Sequence, residues 1–245
     1  MNIHTFDNGV RVYEHHLLAA QKKRYLENNL HEPEEESVFI ETIDRLEEGA
    51  SFVNIGAAIG YYCILAKRRR PDLAVHAYEP LTMHRQRMRQ NVKLNGLRRN
   101  DITIHDEGID RTDGVASFRS QDFSSAIERN VANLHPLMKF FHRFRKDLIK
   151  TISLESAIER CSSKVGLVSM DIQGAEISVV NASMDVIAAK QVDSFLIGTH
   201  GPRIHEDVVA ALKRCDYKIL VSEFETKLQP DGIVLAQKNA EPALA

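Results

Sequence analysis

A chain of 245 residues suits one large α/β domain built around a single core. Its hydrophobic fraction of 43% and charged fraction of 27% match an ordinary globular protein and exclude an intrinsically disordered one, and no apolar run approaches the roughly 18 residues of a membrane span. A formal charge of -2 and a pI near 6.6 supply no global basic field, so no nucleic-acid partner is expected.

The first residues, MNIHTFDNGVRVYEHH, lack the basic head, apolar core and small-residue cleavage site of an export signal. Cys63, Cys161 and Cys215 are odd in number and show no CxxC spacing, which predicts reduced thiols in a cytoplasmic protein. The acidic run HEPEEE at 31–36 leads into SVFIETIDRLEEG, where Val38, Phe39, Ile43 and Leu46 recur at helical spacing until Gly49 stops the helix. Residues 1–48 are therefore expected to form a helical, acidic cap on a main domain spanning 49–240.

From there the chain alternates. Apolar runs at 51–55, 73–78, 102–105, 166–172 and 192–200 are separated by helix-like segments at 59–69, 82–95, 174–189 and 203–215. Such alternation predicts a single doubly wound α/β domain, a mostly parallel sheet with helices on both faces. YKILVSEF and GIVLAQK read as a C-terminal antiparallel hairpin at the sheet edge. Residues 110–165 are too long for a simple connection and contain a basic, aromatic helix candidate, NLHPLMKFFHRFRKDLIK; they are expected to be an insertion over the active face. Lys139, His142, Arg143, Arg145, Lys146 and Lys150, with Phe140, Phe141 and Phe144, suit a lid over a polar or anionic acceptor, although such charge runs also serve simply as solvated faces.

SFVNI runs straight into GAAIGYY, so Gly56, Ala57, Ala58 and Gly60 make a strand-to-helix turn that lets the backbone approach a ligand, with Tyr62 just beyond. The GxxxG spacing lacks the middle glycine that admits a pyrophosphate. That absence argues against a nicotinamide-dependent oxidoreductase, the main rival on such a sheet. The next strand ends in AYEP. There Glu79, followed by Pro80, can accept hydrogen bonds from both hydroxyls of a ribose. Asp106, Glu107 and Gly108, in the loop after ITIH, are candidates for accepting an adenine amine.

These stretches resemble the FkbM-type methyltransferases, whose usual motifs are V-D-I-G-A-N-x-G, then F-E-P, then D-x-E-G-A-E. In this chain they read Val53-Asn54-Ile55-Gly56-Ala57-Ala58-Ile59-Gly60, Tyr78-Glu79-Pro80 and Asp171-Ile172-Gln173-Gly174-Ala175-Glu176, with NVKLNGL at 91–97 similar to the family's helix end. The resemblance spans about residues 31–225. It implies a Rossmann-like class I methyltransferase fold, S-adenosylmethionine as cofactor, and methyl transfer, usually to an oxygen of a sugar or another small-molecule or glycan acceptor. Asn54 and Gln173 stand where the family usually has acids. Loss of both carboxylates also admits a non-catalytic binding module. Asn54 still accepts through its amide oxygen.

The chemistry needs an aligned acceptor and removal of its proton. Asp171 and His200 end two strands on the same edge as Gly56 and Glu79 and are expected to be the acid/base pair, with His200 as the base because imidazole titrates near neutral pH. Asp171 would orient it or contact the cofactor. The same groups with an acidic partner leave room for Mg²⁺. Glu176 follows within one turn, where a carboxylate also complements a helix dipole. Glu32 and Glu34 could fold over the cofactor or simply sit at a helix start beside Pro33.

Overall fold

The computed structural model describes residues 2–119, 126–127, 147–224 and 231–239. The N-terminal stretch is more than a helical cap. Two short strands, β1 (Ile3–Thr5) and β2 (Arg11–Tyr13), pair antiparallel before α1 (Ala19–Glu27) and α2 (Pro33–Asp44). Pro33 opens α2 and Glu34, Glu35 and Glu36 fill its first turn, where missing N–H groups cost nothing and negative charge complements the dipole.

The five apolar runs become parallel strands. In order come β3 (Ser51–Ile55), α3 (Tyr61–Arg69), β4 (Ala74–Tyr78), α4 (Thr82–Leu94) and β5 (Ile102–His105). β6 (Gly108–Ile109) comes next, and the inserted region then supplies β7 (Gly114–Arg119), β8 (Ala126–Ile127), β9 (Asp147–Ile152) and α5 (Leu154–Glu159). After β10 (Val165–Met170), the helix expected at 174–189 is divided into α6 (Glu176–Ala182) and α7 (Met184–Ala188), broken at Ser183. β11 (Val192–Thr199), α8 (Pro202–Arg214), β12 (Tyr217–Glu223) and β13 (Gly232–Lys238) follow.

The main sheet has seven strands in the order β12-β13-β11-β10-β3-β4-β5. The chain leaves β3 toward β4 and β5, then returns to build β10 and β11 on the other side, so the order reverses between β3 and β10. A crevice opens at such a switch point, outside the carboxyl ends of the strands. β3 and β10 are buried along their whole lengths. Their alternate residues feed two cores: Phe52 and Leu167 pack with Phe39, Ile64 and Met88 on one face, while Val53 and Val168 pack with Phe195, Val208 and Leu212 on the other. Each such large side chain contributes about 1.5–3 kcal/mol by burial. The C-terminal hairpin is antiparallel as expected, with β13 inserted beside β11 and β12 left at the edge.

The insertion differs from its sequence reading. With β6 it forms a second, four-stranded sheet in the order β6-β9-β7-β8. Lys150, taken as part of a long basic helix, lies in strand β9, because alternation in DLIKTI outweighs the helical pattern before it. The other basic and aromatic residues named from 139 to 146 lie outside the described residues.

The N-terminal strands are tied to α4 by two asparagines of NVKLNGL. Asn95 accepts from the Arg11 N–H at 2.9 Å and donates to the Arg11 carbonyl at 2.6 Å, the reciprocal pairing a strand neighbour would give. Asn91 accepts from the Tyr13 N–H at 3.3 Å, contacts His16 Nδ1 at 3.0 Å and donates to the Ile59 carbonyl at 3.1 Å. Both amides are buried. Their replacement would orphan backbone groups at about 1–3 kcal/mol each.

Candidate functional site

The crevice at the switch point is a cavity of about 190 Å³. Its floor is the turn after β3. Gly56 holds φ +80°, and a Cβ there would come within 2.0 Å of the Asp171 carbonyl oxygen, so only glycine lets the two strand ends meet. Gly60 caps α3 at φ +86°, and its Cβ would strike Met88 at 2.5 Å. Ala57 and Ala58 line the cavity between them.

Glu79 is 4% exposed and lines the same cavity. One carboxylate oxygen accepts from the Ala58 N–H at 2.9 Å, the other from the Leu81 N–H at 2.8 Å, and His84 Nδ1 lies 3.4 Å away. The carboxylate thereby fixes the glycine turn to the end of β4, which also holds Ala58 at φ +45°, an unusual value for alanine. Tyr78, Pro80 and Gly108 complete this side. Asp106 and Glu107 are not among the lining residues: they face Lys150 at 3.8 Å and Arg160 at 3.1 Å instead. Asn54 lines the cavity, and its amide oxygen accepts from the Cys63 thiol at 3.3 Å.

The opposite wall is charged. Asp171 follows β10, and its N–H donates to the Ile55 carbonyl at 3.1 Å, in register with the end of β3. His200 follows β11. Its Nε2 faces Asp171 Oδ1 at 3.5 Å and Asp231 Oδ1 at 3.6 Å, and its Nδ1 meets Glu176 Oε1 at 3.0 Å. Glu176 is fully buried, and the same oxygen accepts from the Ile172 and Gly174 N–H groups at 3.1 Å each. Gln173 and Gly174 reach this geometry with left-handed φ values of +55° and +94°. The Gln173 amide donates to Asp171 Oδ1 at 3.1 Å. An amide at this position therefore supports Asp171 without adding a further negative charge. His200 Nε2 and Glu176 Oε2 are buried atoms without a hydrogen bond among the described residues.

The N-terminal segment closes the crevice with residues that motif spacing does not reveal. His31, Glu32, Glu35 and Tyr62 line it, and the Tyr62 hydroxyl donates to Glu32 at 3.1 Å. Glu34 is absent from the lining. Burial raises the Glu32 pKa, with the Asp231 charge acting in the same direction, while Arg24, Tyr62 and His200 oppose them. Burial, with nearby Arg24, drives His31 down to about 3 and keeps its imidazole neutral. Asp231 was equally hidden, since it precedes β13 almost at the far end of the chain.

Charge balance sets protonation on this wall. Burial lifts Asp171 to about 7 against the pull of His200, and the carboxylates of Glu32, Glu176 and Asp231 add to the rise. Burial lowers the imidazole of His200, but its hydrogen bond to Glu176 and the charges of Asp171, Glu176 and Asp231 outweigh that and raise it to about 9. His200 is thus an imidazolium at neutral pH, whereas its ordinary titration range suggested a base. Asp171 is the group poised near neutrality.

Asp171, Glu176 and His200 each offer one atom within 4.8 Å of the others, as a metal site requires. The donors do not fit Mg²⁺. An imidazole nitrogen is a ligand that Mg²⁺ seldom selects over oxygen.

Most of the chain fits known methyltransferase folds. A structure of methyltransferase FkbM from Methylobacillus flagellatus KT superposes with a TM-score of 0.56 at 16% identity, covering 79% of this chain and 44% of that one. The chain thus spans less than half the length of that relative. Magnesium protoporphyrin IX methyltransferase from Synechocystis PCC 6803, solved with bound S-adenosylmethionine, superposes with a TM-score of 0.52 at 10% identity, covering 85% and 80% of the two chains. No curated protein matches the sequence. Among the described residues no helix is long and apolar enough to cross a membrane. The model of the methyltransferase FkbM domain matches residues 54–219, more than half of the sequence and all three of its motifs from Asn54 onward, so the chain belongs to the FkbM methyltransferase family.

Proposed function

We propose that the protein is an S-adenosylmethionine-dependent methyltransferase that methylates a hydroxyl of a sugar or secondary-metabolite-type acceptor. One observation carries this reading: the glycine turn, Glu79 and Asp171 line a single cavity at the switch point, with His200 against Asp171 at 3.5 Å. The bound cofactor would supply an electrophilic methyl group on a sulfonium. The residues fit it in three respects. Gly56, Ala57 and Gly60 leave backbone space, Glu79 presents a buried carboxylate to a ribose, and the acidic wall suits a cation. Asn54, Ala58, Tyr62 and Pro80 complete the cofactor surface and Gly108 borders the adenine side, whereas Asp106 and Glu107, turned to Lys150 and Arg160, take no part in it.

In this reading Asp171 is the base. Ionised above about 7, it would take the proton of the acceptor hydroxyl whose oxygen receives the methyl group. His200, a cation held by Glu176, orients Asp171 and keeps part of it ionised despite its burial. Gln173 donates to the same carboxylate oxygen, Oδ1, that His200 faces. The inserted sheet borders the same side of the cavity as Gly108, since Gly108 and Ile109 of β6 line the cavity and β6 pairs with β9. A cytoplasmic setting accords with free thiols at Cys63, Cys161 and Cys215.

The test is calorimetry with S-adenosylmethionine followed by transfer of a labelled methyl group to a panel of polyhydroxylated acceptors. Cofactor binding with turnover on a hydroxyl supports the reading. Binding without turnover across the panel identifies a non-catalytic module, and tight NAD binding without S-adenosylmethionine binding would sink it altogether.

A further inference from the structure

A second cavity, of about 720 Å³, lies between α4 and β5 and shares no lining residue with the first. Its rim is basic: Arg89, Lys93 and Arg99. Its floor is apolar, with Val92, Leu97 and Ile104. The charge is concentrated, not diffuse. Between Leu81 and Asn100 the sequence has six Lys or Arg and no Asp or Glu, on a chain whose formal charge is -2. Arg98 is matched by Asp101, but the three rim residues make no ion pair among the described residues.

The other half of the observation is the strand beside the groove. Among the described residues, β5 pairs with β4 alone and ends the seven-stranded sheet. An edge strand offers unpaired N–H and C=O groups, which proteins commonly blunt with charge. The opposite edge, β12, carries Lys218 and Glu223. β5, with sequence ITIH, carries no Asp, Glu, Lys or Arg.

We propose that this groove docks an acidic, extended segment of a partner protein, which adds to β5 as a further strand. On the face of the sheet that carries α4, the side chains of such a segment would lie over the apolar floor within reach of Arg89, Lys93 and Arg99, while its backbone bonds to the strand edge. Single-stranded nucleic acid fits less well, because none of the lining residues is aromatic and its bases would have no platform to stack on. An anionic membrane fits less well too, since the floor is recessed: Val92 and Ile102 are 4% and 2% exposed.

The test uses a short fluorescein-labelled peptide of alternating glutamate and valine, with an alternating lysine and valine peptide, an oligouridylate, and phosphatidylserine–phosphatidylcholine vesicles as competitors at one salt concentration. The glutamate peptide is expected to bind and to slow amide exchange at Ile102, Thr103, Ile104 and His105. Arg89→Glu with Lys93→Glu should weaken it by about tenfold or more, with the melting temperature unchanged. Preferential binding of the oligonucleotide or of vesicles overturns the proposal. So does peptide binding that leaves the β5 amides unprotected or ignores the charge reversal, and so does no peptide binding at all.

Discussion

The two walls of the cavity are built on opposite principles. On the cofactor side each oxygen of Glu79 accepts from a backbone N–H, and Gly56 and Gly60 are fixed by steric contact. On the other side three carboxyl groups, those of Asp171, Glu176 and Asp231, surround the imidazole of His200, the charge of Glu32 acts on Asp171, and two buried polar atoms have no hydrogen bond among the described residues. The first wall is finished before a ligand arrives. The second holds unsatisfied charge and so is where a reacting group has something to gain.

The sharpest way to break the comparison is chemical. Asp171→Asn should reduce turnover by roughly 10² to 10⁴-fold, as expected for loss of a positioned base, with cofactor affinity changed far less. Wild-type kcat/KM should rise with pH through about 7, where Asp171 ionises. A pH profile flat from 6 to 8 at constant substrate binding would return the base to another group. Gly56→Ala attacks the finished wall: an added methyl 2.0 Å from a carbonyl, at φ +80°, should cost roughly 2–4 kcal/mol in urea unfolding and abolish cofactor binding. Glu79→Ala comes next, with a loss of about 1–3 kcal/mol in calorimetric cofactor affinity and a parallel drop in stability, because the Ala58 and Leu81 N–H groups lose their acceptor. Unchanged affinity would make Glu79 a purely structural residue.

The smallest effect sharpens the contrast through pH. His200 is raised from 6.5 to about 9, so its interactions stabilise the fold fully below about 6.5 and are lost as pH rises through 9. Asp171 is raised from 3.8 to about 7. Its ionisation therefore costs stability between those values, in the same direction. The melting temperature should fall by a few degrees from pH 5 to 9, and His200→Gln should flatten the limb above 6.5. An unchanged upper limb would show that His200 is not charged in the folded protein.

Much of the finished wall was legible in the sequence, because it is local. A strand running into GxxxG and a strand ending in Glu-Pro follow from period and punctuation, and Asp171 and His200 end the strands that parallel alternation places beside them. The reactive wall was legible only in part. Glu32 and Asp231 come to Asp171 and His200 from distant parts of the sequence, and no spacing rule links them. Nor did residue type alone fix protonation: His200 looked like a base until the carboxylates around it were known. The insertion misled for a different reason. Its basic helical pattern ended in DLIKTI, whose alternation pairs it with β7 as strand β9, and tertiary pairing overrode the local reading.

The crevice joins a segment near residue 32 to one at residue 231, and that bears on how the protein comes into being. During synthesis the parallel strands and their helices can begin to collapse as they emerge, but the wall that faces the acceptor is still incomplete until the last hairpin docks. A ribosome-bound chain stopped before β13 would present the glycine turn without Asp231 against His200. Docking of the β12–β13 hairpin, the last strands of the main sheet in chain order, therefore completes the proposed reactive wall.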